Sequence, residues 1–356
     1  MARHGSILFC LGALLTLAPT SLRSQTILVQ VLNSESRAPI PTAFVSLMDH
    51  GGSPVLHALT NPQGRALFTL PDSGTYQVRA EMFGRETAWS PPIRVGPDST
   101  ASYLFELAVE AIPLAGINVE SEQQCRILPE DGRELARVWE EARKALSIQT
   151  WTDEAGLYLF KILAWERDLD PEGRTVEAES LRELSSTDRN PMRSLPVQDL
   201  MTGGFMRDTE DGRTEYFGPD ASILLSNLFL NGHCFRLAER EGQTGVIGLA
   251  FEPVGEKITD VEGTLWLDRE TAHLRFLEFK YVNAPTRLTK GVGGGRVDFE
   301  RMPDGTWIVR RWRIQVPITG YSSIFGPYKL VGIHETGAVV TEIGLLSKIR
   351  RLGPGH

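Results

Sequence analysis

The side chains best suited to nucleophilic, acid–base or metal chemistry are three cysteines and seven histidines set among 45 carboxylates. His233 and Cys234 are adjacent, and an imidazole beside a thiol could activate it as a nucleophile. Neighbours on an extended strand point to opposite faces, however, so His233 is poorly placed to polarise Cys234. A disulfide or an inert buried cysteine is the better reading. Cys10 lies in the N-terminal apolar run, which leaves Cys125 and Cys234 as an even pair and a disulfide candidate. An enzymatic alternative stays open, a hydrolase using His233 with an acidic partner. Asp168, Asp170, Glu172, Gly173 and Glu179 occupy positions one, three, five, six and twelve of a calcium-binding loop. Glu at position five, Pro171, and strand-like rather than helical flanks favour an acid-rich hairpin turn instead. His50 and His57 flank a Gly-Gly loop and read as solvent-exposed loop histidines rather than a metal pair.

The remaining motif search is negative. The sequence contains no His-Glu-x-x-His or His-x-x-Glu pair for zinc, no Gly-x-Ser-x-Gly elbow and no phosphate-cradling Walker loop. Gly291, Gly293, Gly294 and Gly295 open a strand rather than a helix. The expectation is therefore a protein without catalytic residues, cofactor or metal. Its 37 basic and 45 acidic side chains give a net charge of −8, which repels phosphate backbones and argues against nucleic acid as a partner.

The N-terminus has the three-part pattern of a secretory signal peptide. A basic start at Arg3, an apolar run from Ile7 to Leu17, and Pro19 followed by small or polar residues place cleavage after Ser24. Its removal takes Arg3 and Arg23 but no acid, leaving 35 basic against 45 acidic side chains and a charge of −10. No later run reaches the roughly 20 apolar residues that a membrane-spanning helix needs.

Short alternating segments then follow, at 27–32, 43–48, 55–60, 65–70, 76–81 and 101–107, each bounded by Gly, Pro, Asn, Asp or Ser. Such a series predicts an antiparallel sandwich with Tyr76, Val78 and Ala80 facing its core and a turn at Asn61 to Gly64. The segments VQVLNSESRAPIPTAFVSL (29–47) and TNPQGRALFTLPDSGTYQVRAEMFGR (60–85) resemble the carboxypeptidase regulatory-like domain, a transthyretin-like sandwich. The pieces that match are a Pro-flanked turn between two strands, a Gly-containing turn before an alternating strand, a Pro-x-x-Gly-x-Tyr strand and a closing Phe-Gly. The resemblance implies an interaction or stabilising module, with a wider fold group that includes carbohydrate-binding-like domains. It does not imply peptidase activity.

After an irregular connector, Asp131 caps a helix with Glu134 completing a capping box. Leu135, Val138, Trp139, Ala142 and Leu146 form an apolar stripe, expected to pack on a sheet, with Arg133, Glu140, Arg143 and Lys144 solvated opposite. Ten longer strands follow, at 158–165, 176–180, 233–238, 246–251, 260–267, 274–281, 295–301, 307–316, 329–335 and 338–343, interrupted by one helix at 221–229 capped by Asp220. Pro303-Asp304-Gly305 is the strongest hairpin signal. Across it Val297 and Phe299 should share a core face with Ile308, Trp312 and Ile314, while Arg310 falls out of phase and predicts a bulge or a buried ion pair. In strand order and texture this half resembles the half-barrel of outer-membrane lipoprotein carriers, without a motif that transfers any residue. Trp139, Trp151, Trp165, Trp266, Trp307 and Trp312 all lie here and read as core in preference to a ligand cleft.

The expected organisation is mainly β. It comprises a signal peptide (1–24), a β-sandwich (25–110), a linker (111–130) and a helix with a curved antiparallel β-meander (131–350). The expected role is that of an exported, non-enzymatic binding or assembly module of the cell envelope, secreted or periplasmic. Its partner would be an envelope protein, a glycan or a lipid. The alternative is a carrier of a hydrophobic ligand in the second β-domain.

Overall fold

The computed structural model describes residues 25–110, 133–186, 194–210, 214–255, 258–284, 293–321 and 328–345. Residues 1–24, the expected linker at 111–130 with Cys125, and the expected helix cap at Asp131 lie outside them.

The first domain is a sandwich of two small sheets. One has the order β4 (Arg65–Leu70), β1 (Gln25–Asn33), β8 (Thr100–Leu107). The other has β3 (Pro54–Leu59), β2 (Phe44–Met48), β5 (Gly74–Glu81) and β6 (Ala88–Trp89), with β7 (Ile93–Val95) also on β5. The short β6 and β7 escape the alternation pattern because two or three residues carry no period. The pairing of β1 with β8 is parallel, since the last strand returns alongside the first; the other pairings are antiparallel. Tyr76, Val78 and Ala80 are buried as the alternation requires, in a core with Ile27, Val29, Val45 and Phe105. At the Asn61–Gly64 turn the Asn61 Oδ1 accepts from the amides of Gln63 and Arg65, both at 3.0 Å. Gly64 has φ +70°, and a Cβ there would sit 2.5 Å from the Val31 carbonyl oxygen, so only glycine fits.

The second domain is built on α1 (Arg133–Glu154) and a nine-stranded antiparallel sheet. Its strands in chain order are β9 (Tyr158–Leu169), β10 (Val176–Ser186), β13 (His233–Arg240), β14 (Gln243–Pro253), β15 (Asp260–Asp268), β16 (Leu274–Val282), β17 (Gly294–Arg301), β18 (Trp307–Tyr321) and β19 (Tyr328–Leu345). Spatially the order is β10-β9-β19-β18-β17-β16-β15-β14-β13. Helix α1 touches β13, β14, β15, β16 and β18. Strands spaced about 4.8 Å apart can reach one helix of about 10 Å diameter together only if the sheet wraps round it. Glycines opposite aromatics permit this curvature. Gly263 and Gly295 both pair with Phe279, and a Cβ on Gly295 would lie 2.6 Å from that ring.

Several sequence expectations need correction. The two predicted strands at 329–335 and 338–343 are one continuous strand, because Thr336 and Gly337 keep pairing with Ile314 and Arg313. The helix at 221–229 is two short turns, α3 (Ala221–Leu224) and α4 (Asn227–Gly232). Asp220 caps the first as expected, and Ser226 ends that run by capping the second. Arg310 sits in a bulge: Asp298 pairs with Arg311 but Phe299 with Val309. Its partner Glu300 and Arg310 itself are both well exposed, so the ion pair is not buried. The bulge reverses the phase of β18, and Ile308 therefore joins Tyr158 and Phe160 while Trp307, Val309 and Ile314 join the main core.

The largest correction concerns α1. Its apolar stripe meets the sheet as expected, and fully buried residues such as Leu146 contribute about 1.5–3 kcal/mol each. The opposite face is not solvated, because the sandwich covers it. Lys144 is 1 % exposed and Glu141 4 %. The Lys144 ammonium donates to the carbonyls of Met82 and Arg85 at 3.0 and 2.8 Å and to Glu141 at 2.8 Å, while Glu141 accepts from the Gly84 amide at 3.1 Å. Arg143 binds Glu140 and the buried Glu81, which also pairs with Arg79. A helical wheel assigns charge to solvent, but a second domain supplied partners for every one of these groups. Only Arg133 remains exposed.

Candidate functional site

The residues singled out for chemistry are dispersed. His233, the first residue of β13, is 0 % exposed and stacks on Phe229 at 3.8 Å. Its Nδ1 lies 2.9 Å from the Phe229 carbonyl oxygen, and its Nε2 lies 3.2 Å from that of Val261 and 3.4 Å from Asp260 Oδ1. An imidazole that is sealed from solvent between the carbonyls of α4 and β15, and can donate to one of them, cannot meet a substrate. Cys234 is buried and disulfide-bonded, and Cys125 lies outside the described residues. The calcium-loop positions do not converge. Asp170 accepts from the Arg174 amide at 2.7 Å and closes the β9–β10 turn, Glu179 pairs with Arg167, and Asp168 bonds His334. Glu172 is exposed in that turn. Among the described residues no three His, Cys, Asp or Glu side chains gather as a metal site.

His57 is not a loop residue. It lies on β3, half-buried and stacked on Phe44 at 5.1 Å, with Nδ1 2.9 Å from Ser46 Oγ; His50 is exposed as expected. Burial, with Arg79 nearby, pushes the His57 imidazole below its ordinary value. His273 is lowered in the same way by burial and Arg301, against an opposing pull from Asp268. Burial alone would raise the Glu140 carboxyl, but hydrogen bonds and charge from Arg143, with Thr87, overcome it and hold it at about 2. Burial pushes Glu141 up despite Lys144. These groups all sit at the junction of the domains and do not line a cleft.

A cleft lies elsewhere, over strands β18 and β19. Residues 194–210 and 214–217 fold back across the sheet through α2 (Val197–Gly203) and the paired strands β11 (Met206–Asp208) and β12 (Thr214–Tyr216). Gly204, at φ +84°, lets the chain pass against Thr259, where a Cβ would fall 2.6 Å from the carbonyl oxygen. Phe205 then anchors the hairpin, fully buried, with its amide donating to Thr259 at 2.8 Å. Tyr281 secures the far side. Its hydroxyl donates to the Phe217 carbonyl at 3.0 Å and its ring meets Tyr216 at 5.4 Å.

Beneath this hairpin is a space of 390 Å³ floored by Trp312, Ile314 and Val316 and walled by Tyr216 and Phe217. That volume falls within the range of small-molecule sites, about 300–1,000 Å³. Its polar groups are His334, Thr336, Thr214 and Glu215. His334 donates through Nδ1 to Asp168 Oδ1 at 2.7 Å, which leaves Nε2 as the remaining hydrogen-bonding atom of the ring. The Trp312 indole nitrogen is buried without a partner. The tryptophans thus divide. Trp307 is 1 % exposed in the main core with Trp139 and Trp151 packed on it, whereas Trp312 lines the cleft. The sequence reading missed this cleft because α2, β11 and β12 are too short to show a period. The visible signal was the alternation of Trp312, Ile314 and Val316 after the bulge.

The architecture defines a small β-sandwich docked on a helix that is wrapped by a large antiparallel sheet. Residues 26–108 are a carboxypeptidase regulatory-like domain by match to that family's model. No curated protein matches the chain. Among solved structures, similarity is found to a LolA superfamily protein from Nitrosomonas europaea, at 13% identity over 60% of this chain and 96% of that one, with a TM-score of 0.27. A candidate outer membrane lipoprotein-sorting protein domain from Vibrio parahaemolyticus gives 13% identity over 58% and 94%, with a TM-score of 0.27. A candidate carbohydrate binding protein from Bacteroides uniformis gives 10% over 68% and 98%, with a TM-score of 0.20. All three are weak structural similarities.

Proposed function

We propose that the chain is an exported, non-enzymatic binding module of the cell envelope, and that its second domain holds an apolar ligand in the cleft beneath the β11–β12 hairpin. The observation that carries this reading is the 390 Å³ space with an apolar floor of Trp312, Ile314 and Val316 that the described side chains leave unfilled. Location rests on the signal-peptide pattern of residues 1–24, and no helix of the described residues is long and apolar enough to cross a membrane. The burial of His233 supports a non-enzymatic role. Delipidated protein titrated with a fluorescent hexadecanoyl fatty acid should show saturable uptake, and Thr336→Trp, which fills the space from a partly exposed position, should weaken it while leaving the circular dichroism unchanged. Absence of saturable uptake by the native protein overturns the cleft as a ligand site.

A glycan partner is a second reading, favoured by Trp89. This residue, which the sequence reading passed over, is 50 % exposed on β6 with the Arg79 guanidinium 5.4 Å from its ring centroid. Loss of retention on immobilised envelope polysaccharide in Trp89→Ala would support it; no retention of the native protein would end it. We also propose that Cys125 is the other half of the Cys234 disulfide, so that non-reducing digestion should yield the two peptides linked.

A further inference from the structure

Strand β10 ends the nine-stranded sheet, and among the described residues its one strand neighbour is β9. Residues Val176 to Ser185 are exposed throughout, so among the described residues neither face is covered and the outer row of amides and carbonyls has no partner strand. At 11 residues it is about twice the usual strand length. Natural edges of this kind are blunted by shortness, proline, charge or bulges; β10 is long and has no proline, and it carries Glu177, Glu179, Arg182 and Glu183 with one bulge near Val176, so a pairing strand must answer its charges. Leu181 and Leu184 are 51 % and 46 % exposed on its two faces.

The charge pattern discriminates between occupants. A second copy that extended the sheet with its faces preserved would pair antiparallel about a two-fold axis, so the centre of symmetry must fall on a residue. Centring on 179 sets Glu179 against itself, and on 180 it brings Glu177 at the bulge against Glu183. Centring on 181 sets Glu179 against Glu183, on 182 Arg182 against itself, and on 183 Glu183 against itself. Each of these five central registers opposes like charges, which is unfavourable across a strand pair. A strand carrying lysine or arginine at alternate positions meets the opposite situation. It would face Glu179 and Glu183 on one face of β10, with Leu181 between them. Glu179 already holds Arg167; Glu177 and Glu183 form no salt bridge among the described residues, although Lys161 feels the charge of Glu183. The net charge of −8 adds long-range attraction for a basic segment.

We propose that β10 is a docking edge which takes an extended, basic segment of a different protein as a tenth strand. Backbone hydrogen bonds supply the hold and the glutamates supply selectivity. This is independent of the ligand cleft, which opens over β18 and β19.

The test uses the full-length mature protein and a labelled nine-residue peptide of alternating lysine and valine, read by fluorescence anisotropy, with hydrogen exchange locating the contact. Three changes should each weaken binding by about tenfold or more: N-methylation of alternate valine amides, replacement of lysine by glutamate in the peptide, and E177K/E183K in the protein. Residues 176–186 should gain exchange protection. Equal binding of the N-methylated peptide, showing adsorption of a polycation without strand pairing, overturns the proposal. So does protection outside β10, no binding at all, or self-association in sedimentation that E177K/E183K abolishes.

Discussion

At the scale of single residues, the junction between the domains is where buried charge concentrates. Glu141 and Lys144 are placed so that neither can lose its partner cheaply; removing one side of a buried pair costs about 3–5 kcal/mol. The same junction sets a dependence of stability on pH. The Glu140 carboxyl is held at about 2, against 4.5 ordinarily. Because its folded value is depressed, its contribution is fully present above about 4.5 and is lost as pH falls from there through about 2. His57 and His273 are also depressed, below 6.5. The unfolded chain therefore takes up their protons first, and stability declines as pH drops below 6.5. Thermal melts between pH 7.5 and 2 should show both windows. Glu140→Gln should shrink the lower one, to which the lowered carboxyls of Asp268 and Asp304 also contribute, and His273→Phe should shrink the upper one. An unchanged profile in either variant would refute the corresponding assignment.

At the scale of elements, the curved sheet depends on close approaches that side chains would block. Gly337 of β19 lies under the Trp165 ring, where an added Cβ would meet the indole at 2.3 Å and the Trp312 carbonyl oxygen at 2.7 Å. The ring is itself fixed by its Nε1 donating to the buried Glu335 at 2.8 Å. Gly337→Ala should therefore destabilise the protein by about 1–3 kcal/mol in urea unfolding, as overpacking does; a neutral result would show that the ring can move aside. Long alternating strands such as β15 and β16 were legible in the sequence, because half-buried extended chain leaves a period of two. The bulge at Arg310 was legible as an interrupted alternation. The β11–β12 hairpin that roofs the cleft was not, since three-residue strands bury too little to be marked by pattern, and the Phe205 and Tyr281 anchors act across the chain.

At the scale of the whole molecule, the two domains share a core. Phe44 of the sandwich is 1 % exposed within the main cluster of the second domain, and it meets Trp151 at 5.6 Å. Phe83 packs on Trp307 and His273 at 5.4 and 5.1 Å, and Arg301 donates to Thr42 at 2.8 Å. The protein should therefore unfold in one calorimetric transition. Phe44→Ala should lower its stability by about 3–5 kcal/mol, and two separate transitions in the native protein would contradict the shared core.

The sequence by itself determined the mainly β fold, the regulatory-like sandwich of residues 26–108, the face that α1 turns to the sheet, and the turn glycines at 64 and 305. These follow from interactions between near neighbours, which repeat along the chain and leave a pattern. Tertiary structure alone decided that Lys144 and Glu141 are buried, that His233 is a sealed strut, and that Trp312 lines a cleft while Trp307 fills the core. Residues distant in sequence supply the partners in each case, and a one-dimensional period cannot encode which surface will cover a charge or leave an indole uncovered.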